Sequence, residues 1–156
     1  MMEYKVMEIN LEQQKLISTP IRVKIIYLLN EQIMTAKQVA DELGKTAGSI
    51  HYHIQQLYKG GILELAETRE NKGIVEKYYR AKATHFNLKG NDDPGLEGIS
   101  TKGISLEFTE EERNGFEKEY EELLEKWLKK TVAHKEGRTS YTLTLELKKQ
   151  PSGEDV

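Results

Sequence analysis

Apolar positions in the first half of the chain repeat every three or four residues, a spacing that predicts helices. The stripe is clearest in residues 47–59, where Ile50, Ile54 and Leu57 fall on one face. Residues 20–30 show the same spacing. We therefore expect two amphipathic helices, each of which buries one stripe of apolar side chains.

Capping residues predict two more helices, one before each of these. Asn10 with Gln13 and Thr35 with Gln38 have the spacing of a capping box, in which each side chain bonds the backbone N–H of the other residue. Gly44 stands where a glycine ends a helix. Only a tight turn then separates the third helix from the fourth, which is the spacing of a helix-turn-helix.

A change to strand-forming residues after residue 60 predicts a β-hairpin. Residues 62–68 and 74–81 read as two strands, and residues 71–73 supply the turn between them. Arg69 and Lys72 lie near this turn, where cations could contact a phosphate backbone or could merely keep an edge hairpin soluble. Helices followed by such a hairpin define a winged helix.

The last third of the chain regains a pattern after a stretch without periodicity. Residues 104–108 and 141–147 alternate apolar and polar positions as strands do. Between them, Thr109 with Glu112 forms a third capping box at the start of a long helix. We expect a mainly α fold with a β wing (α+β), divided into a winged helix-turn-helix domain (residues 1–84), a linker (85–103) and a strand-helix-strand dimerisation or regulatory unit (104–150).

The long helix carries one continuous apolar face. Its members are Phe116, Tyr120, Leu123, Leu124, Trp127 and Leu128. A helix with two strands covers only one side of such a face, so the face must dock on another surface. We favour a homodimer interface, with an intramolecular core as the alternative. Trp127 and Tyr141 could also line a ligand pocket, but aromatic residues at helical spacing more often belong to a core.

Composition excludes several classes of protein. The chain has 156 residues, 37% apolar and 31% charged, which suits one domain or a small domain with an appended element. A mean hydropathy of -0.66 leaves no candidate membrane span, and the amino terminus lacks the pattern of a secretory signal. The absence of cysteine excludes disulfides and thiolate metal sites and is typical of a reducing cytoplasm.

The net charge of -3 divides unevenly along the chain. Residues 1–90 carry +3, whereas residues 91–156 carry -6. The front half therefore tolerates a polyanion that the rear half would repel.

The helix of residues 47–59 has an unusual outer face. Solvent-exposed faces are rich in Glu and Lys, but this one holds Gly48, Ser49, His51, Tyr52 and Gln55. Small, neutral and hydrogen-bonding residues near a helix N-terminus suit a close approach to base edges. We infer that this face contacts double-stranded DNA rather than solvent alone.

These segments resemble the ArsR-like winged-helix transcriptional regulators. The likeness covers residues 10–84, and its most specific part is the run His-Tyr-His-Ile at residues 51–54 with Gly-Ile-Leu at residues 61–63. In that family the matching helix enters the major groove of DNA and the hairpin acts as a wing. The resemblance implies DNA-contacting residues at Thr46, Ala47, Ser49, His51, Tyr52 and Gln55, with Arg69 and Lys72 at the wing.

The resemblance also bears on metal sensing. Metal-sensing members commonly use cysteine pairs, which this chain lacks, or His and carboxylate ligands on a C-terminal helix, where it offers only His134 beside Glu136. We therefore predict no metal site and no cofactor. His53 lies at the border of the buried stripe, so a structural hydrogen bond is as plausible for it as a base contact.

The leading hypothesis is a cytoplasmic, sequence-specific DNA-binding regulator that binds a palindromic operator as a homodimer and represses transcription. The alternative is a winged helix used as a protein-interaction module, with the acidic C-terminal helix as the partner surface. Enzymatic activity is not expected, because no phosphate loop, activated nucleophile or carboxylate pair appears. A small-molecule effector is possible, but the sequence identifies none.

Overall fold

The computed structural model describes residues 4–88 and 103–151. The chain divides between Leu106 and Glu107 into two compact units. The described elements are, in chain order, β1 (Val6–Ile9), α1 (Leu11–Leu16), α2 (Pro20–Glu31), α3 (Ala36–Leu43), α4 (Ala47–Lys59), β2 (Leu63–Asn71), β3 (Ile74–Ala81), β4 (His85–Leu88) and α5 (Glu110–Thr131).

The predicted starts of the first helices are confirmed. Asn10 Oδ1 accepts a hydrogen bond from the Gln13 N–H at 2.8 Å, and Thr35 Oγ1 accepts one from the Gln38 N–H at 3.1 Å. Each glutamine side chain accepts the reciprocal bond, which completes both capping boxes. Gly44 has a φ of 63°, the left-handed conformation in which glycine ends a helix without strain.

Helices α2, α3 and α4 pack around one core. The largest fully buried side chains of the described residues are Ile9, Ile25, Leu29, Val39, Ile50, Ile54, Leu57, Ile62 and Leu63. The predicted apolar stripe of α4 is therefore confirmed as its inner face. Because that stripe points inward, the residues on the opposite side of α4 must point out of the fold.

The wing is an antiparallel pair of β2 and β3, as predicted, although β2 extends to Asn71 rather than ending at Thr68. Only Lys72 and Gly73 form the loop, with φ values of 50° and 79°. Positive φ at both loop residues is the signature of a type I′ turn, whose twist matches that of the paired strands. A two-way backbone bridge between Met34 and Tyr79 ties the wing to the segment before α3.

One part of the predicted linker is wrong, because residues 85–88 form β4. This strand pairs in parallel with β1, a strand that the sequence pattern had not indicated. Strands of four residues are too short to display a clear alternation, so only their mutual pairing reveals them. The rest of the predicted linker, residues 89–102, lies outside the described residues.

The carboxy-terminal unit contains α5. Its predicted start is confirmed, since Thr109 Oγ1 accepts from the Glu112 N–H at 3.1 Å. The two predicted strands at residues 104–108 and 141–147 are not formed. Alternating side chains define two faces, but a strand also needs a ladder of backbone hydrogen bonds with a partner strand, which alternation cannot supply.

A side-chain clamp joins α4 to the first two helices. Arg22 of α2 donates Nε–H to His53 Nδ1 at 3.1 Å and a second N–H to the Leu16 carbonyl at 3.1 Å. A guanidinium has only donors, so His53 Nδ1 must be unprotonated and the ring neutral, with its proton on Nε2. His53 is only 6% exposed. Of its two predicted roles, the structural one is therefore correct.

We expect Arg22→Met to lower the free energy of unfolding by about 1–3 kcal/mol, because partly buried groups lose hydrogen bonds from a charged donor. Lys37→Met is the matched control, since its ion pair with Asp41 is highly exposed and such pairs contribute about 0–1 kcal/mol. Urea unfolding measures both variants. Equal losses of stability in the two would show that the clamp contributes nothing beyond a surface charge.

Candidate nucleic-acid interface

The exposed face of α4 begins at the tight turn after α3. Thr46 caps the helix by accepting the Ser49 N–H at Oγ1 over 3.3 Å, and the Lys45 N–H donates to the Ala40 carbonyl at 3.0 Å. The first turn of α4 contains no acidic residue. Its remaining amides and the positive end of its dipole are thus open to an anion such as a phosphate.

The structure separates the predicted contact residues of this region by exposure. Thr46, Ala47, His51 and Tyr52 are exposed, whereas Ser49 and Gln55 are half-buried. The ring of Tyr52 meets the buried ring of His53 edge-on, with 5.5 Å between ring centroids. This contact orients an aromatic hydroxyl on the outer face of the helix.

Gln55 differs from the exposed residues because its side chain reaches the wing. Its Nε2 donates to the Tyr79 hydroxyl at 3.1 Å, and the Tyr79 ring also meets Tyr58 with centroids 5.8 Å apart. These contacts hold β3 against α4. The geometry therefore gives Gln55 a positioning role, because its hydrogen bond to Tyr79 holds the wing strand β3 in place beside α4.

Gly48 leaves a gap in the outer surface of α4. A Cβ built on this residue would meet no atom within 4 Å, so packing inside the protein does not require glycine here. Glycine in a helix is less stable than alanine by up to about 1 kcal/mol. Gly48 therefore lowers helix stability without a packing reason. A close approach of another molecule to the backbone of α4 would explain the glycine.

Arg69, one of the two predicted wing cations, is engaged within the wing. Its Nη2 donates to Glu67 Oε1 at 2.6 Å, and its guanidinium lies 4.2 Å from the centroid of the Tyr78 ring. The hydrogen bond that Arg69 donates to Glu67 raises the pKa of Arg69. Lys72, by contrast, is exposed at the turn itself. Of the two predicted residues, Lys72 has the placement expected of a phosphate contact.

Alternation along β3 places a further cation, which the sequence pattern did not indicate, on the face of the wing next to α4. Tyr79 faces α4, and Lys77, two residues earlier on the same strand, must share that face of the wing. Arg69 pairs across the hairpin with Glu76 and therefore lies on the opposite face. The exposed wing surface that continues from α4 carries Lys77, not Arg69.

Residues 4–88 and 103–151 contain neither a candidate metal site nor a candidate membrane span. Within these ranges, no group of three or more His, Asp or Glu side chains could hold a metal ion. No helix in the same ranges is long and apolar enough to span a membrane.

Comparison with known proteins identifies the helix-turn-helix. Residues 19–64 match the family model described as bacterial regulatory protein, arsR family. This range runs from the cap of α2 to the start of the wing and includes the whole of α4. The ArsR-like resemblance is confirmed: the chain carries a helix-turn-helix that matches this family model, and it is an ArsR-like winged-helix DNA-binding regulator.

Two solved structures are similar to the chain at low identity. One is the homodimeric winged helix-turn-helix DNA-binding domain of a possible ArsR-family regulator from Mycobacterium bovis, with 16% identity, a TM-score of 0.38, and coverage of 79% of this chain and 84% of that one. The other is the adhesin competence repressor of Streptococcus pyogenes, with 15% identity, a TM-score of 0.36, and coverage of 78% and 74%. These scores are too low to support functional arguments. No curated protein matches the sequence.

Replacing Gly48 by alanine separates helix stability from DNA binding. We expect Gly48→Ala to raise the free energy of unfolding by up to about 1 kcal/mol and yet to weaken duplex binding by about tenfold, because the added methyl group obstructs close approach. Gly115→Ala in α5 is the matched control, since a Cβ there also meets no atom within 4 Å. Fluorescence anisotropy measures the affinity for duplex DNA. If the Gly48→Ala variant binds as tightly as the wild type, DNA does not approach the backbone closely at this position.

Proposed function

We propose that this protein is a sequence-specific repressor that binds a palindromic operator as a homodimer, with α4 in the major groove. The observation that carries this proposal is the outer face of α4. It is uncharged, starts at an open helix N-terminus, and combines the gap at Gly48 with exposed hydrogen-bonding groups of His51 and Tyr52. Base edges require such groups at close range.

Phosphate contacts are assigned to the wing in this proposal. Lys72 at the turn and Lys77 on the α4 side of β3 supply positive charge without an ion pair to any described residue. Arg69 contributes less, because Glu67 already compensates its charge over 2.6 Å. Contacts of this kind fix the position of a protein on DNA and make affinity depend on salt, but they do not read sequence.

The homodimer is supported by the exposed apolar face of α5. One winged helix reads only a short stretch of bases, whereas a two-fold dimer places two recognition helices on half-sites about one DNA turn apart. Binding across a promoter would block polymerase, which makes repression the expected outcome. The site of action is the cytoplasm, and a small-molecule effector would act through the dimer.

Selection of bound duplexes from a random pool tests the proposal directly. We expect a recovered motif with two-fold symmetry, since a symmetric dimer imposes its symmetry on the operator. A motif without palindromy would contradict the dimeric mode of binding. Recovery of random sequence would contradict sequence-specific recognition.

Substitutions on α4 and the wing should have distinct effects. We expect His51→Ala to reduce discrimination between the selected and random duplexes by about 1–3 kcal/mol. Lys72→Ala and Lys77→Ala should instead weaken both duplexes alike and lower the slope of log affinity against log salt by about 1 each. Anisotropy titrations at several salt concentrations measure both quantities.

Two controls accompany these variants. Lys59→Ala removes a cation from the far end of α4, about 20 Å from Thr46 at 1.5 Å per residue, and should leave the salt slope unchanged. Arg69→Ala should change the slope less than Lys77→Ala does. The reverse order would assign the wing contact to the other face of the hairpin.

The alternative role, a protein-interaction module with acidic α5 as the partner surface, predicts the opposite behaviour on columns. Such a protein would pass through immobilised duplex DNA and heparin at low salt. Retention on both, with release as salt rises, would exclude this alternative.

A further inference from the structure

The apolar face of α5 is uncovered along the second half of the helix. Leu123, Leu124, Trp127 and Leu128 are exposed, and Trp127 retains 54% of its accessible surface. No side chain in residues 107–151 is buried. A unit without buried side chains cannot offset the conformational entropy lost on ordering, so this face requires a partner surface.

The charged residues of α5 are distributed unevenly, with acidic residues at its start and basic residues at its end. The helix begins with three consecutive glutamates, residues 110–112, and its last six residues contain three lysines, at 126, 129 and 130. Two such helices side by side in parallel would place like charges together at each end. An antiparallel arrangement places the acidic end of one helix beside the basic end of the other.

We propose that two copies of this chain pair through α5 in antiparallel orientation across a two-fold axis. This inference rests on the homodimer of the proposed function and specifies its geometry. Phe116 packs against the partner subunit's Trp127, and Tyr120 against the partner subunit's Leu123. The symmetry of the axis generates each contact twice.

The spacing of the apolar residues fits this pairing. Phe116, Tyr120, Leu123 and Trp127 are separated by four, three and four residues, the spacing of a seam between two helices. Phe116 and Trp127 also lie equally far from the midpoint between Tyr120 and Leu123. One register therefore satisfies both pairs of contacts.

Two charged residues beside the seam are also available for contacts between subunits. Glu119 and Lys126 are seven residues apart and so lie on the same flank of α5. In the described part of the chain neither side chain forms a hydrogen bond or an ion pair, whereas Arg113 pairs with Glu117 at 3.2 Å and Lys129 with Glu125 at 3.1 Å within the helix. The proposed register brings Glu119 beside the partner subunit's Lys126.

Spin labels on the full-length chain test the orientation, and the absence of natural cysteine makes single-site labelling straightforward. Glu111→Cys and Glu122→Cys place nitroxides on the side of α5 away from the seam. In an antiparallel dimer the two labels at 122 lie at nearly the same height along the axis, whereas the two at 111 are displaced by ~30 Å at 1.5 Å per residue. Double electron–electron resonance measures both distances.

The outcomes distinguish the orientation from the existence of the dimer. A short distance at 122 with a much longer one at 111 is the expected result. Equal distances at the two positions, or a longer distance at 122 than at 111, would overturn antiparallel pairing. Either result would leave the homodimer itself in place. A monomeric mass with no dipolar coupling at either position would overturn the homodimer itself.

Charge reversal provides a second readout. We expect Glu119→Lys or Lys126→Glu to raise the dissociation constant of the dimer by about three- to tenfold, because each places like charges together at two symmetry-related positions. The double variant restores opposite charges only if each residue faces the other on the partner, and its dissociation constant should return close to the wild-type value. Sedimentation equilibrium measures all three. Additive losses in the double variant would contradict the proposed register.

Discussion

The outer face of α4 depends on the burial of its inner face. Ile50, Ile54 and Leu57 are completely buried, and each contributes about 1.5–3 kcal/mol to folding by leaving water. Because successive residues turn by 100° around a helix, fixing this stripe also fixes the direction of every other side chain on α4. His51 and Tyr52 point outward for this reason. The Arg22–His53 clamp then holds the helix against α2 without using any exposed group.

Two residues on the exposed surface lower the stability of the fold. Gly48 occupies a helical position where alanine would fit, and Lys72 adopts a left-handed conformation that costs a non-glycine residue about 1–2 kcal/mol. Asparagine before Gly73 would suit the type I′ turn better. Both departures lie where the proposed complex needs access to the helix backbone or positive charge. Their positions are consistent with selection for DNA binding at the expense of stability.

In the proposed dimer, the two units of the chain have complementary tasks. The amino-terminal unit carries the surface for DNA, and α5 carries an apolar seam with charges of opposite sign at its two ends. An antiparallel pair of α5 helices would place the two-fold axis near the midpoint between Tyr120 and Leu123. The same axis would relate the two recognition helices, so the operator would share that symmetry.

The sequence by itself determined the starts of α1, α3, α4 and α5, the buried stripe of α4 and the hairpin turn. These features depend on local interactions, since caps, periodicity and turn residues act within a few positions of the chain. Only the tertiary structure decided the pairing of β1 with β4, the contact of Arg22 with His53 and the wing face that carries Lys77. Adjacent Tyr78 and Tyr79 are both buried, so their pattern could not show which one faces α4. Such choices depend on residues distant in sequence, and they are made only when the whole domain packs.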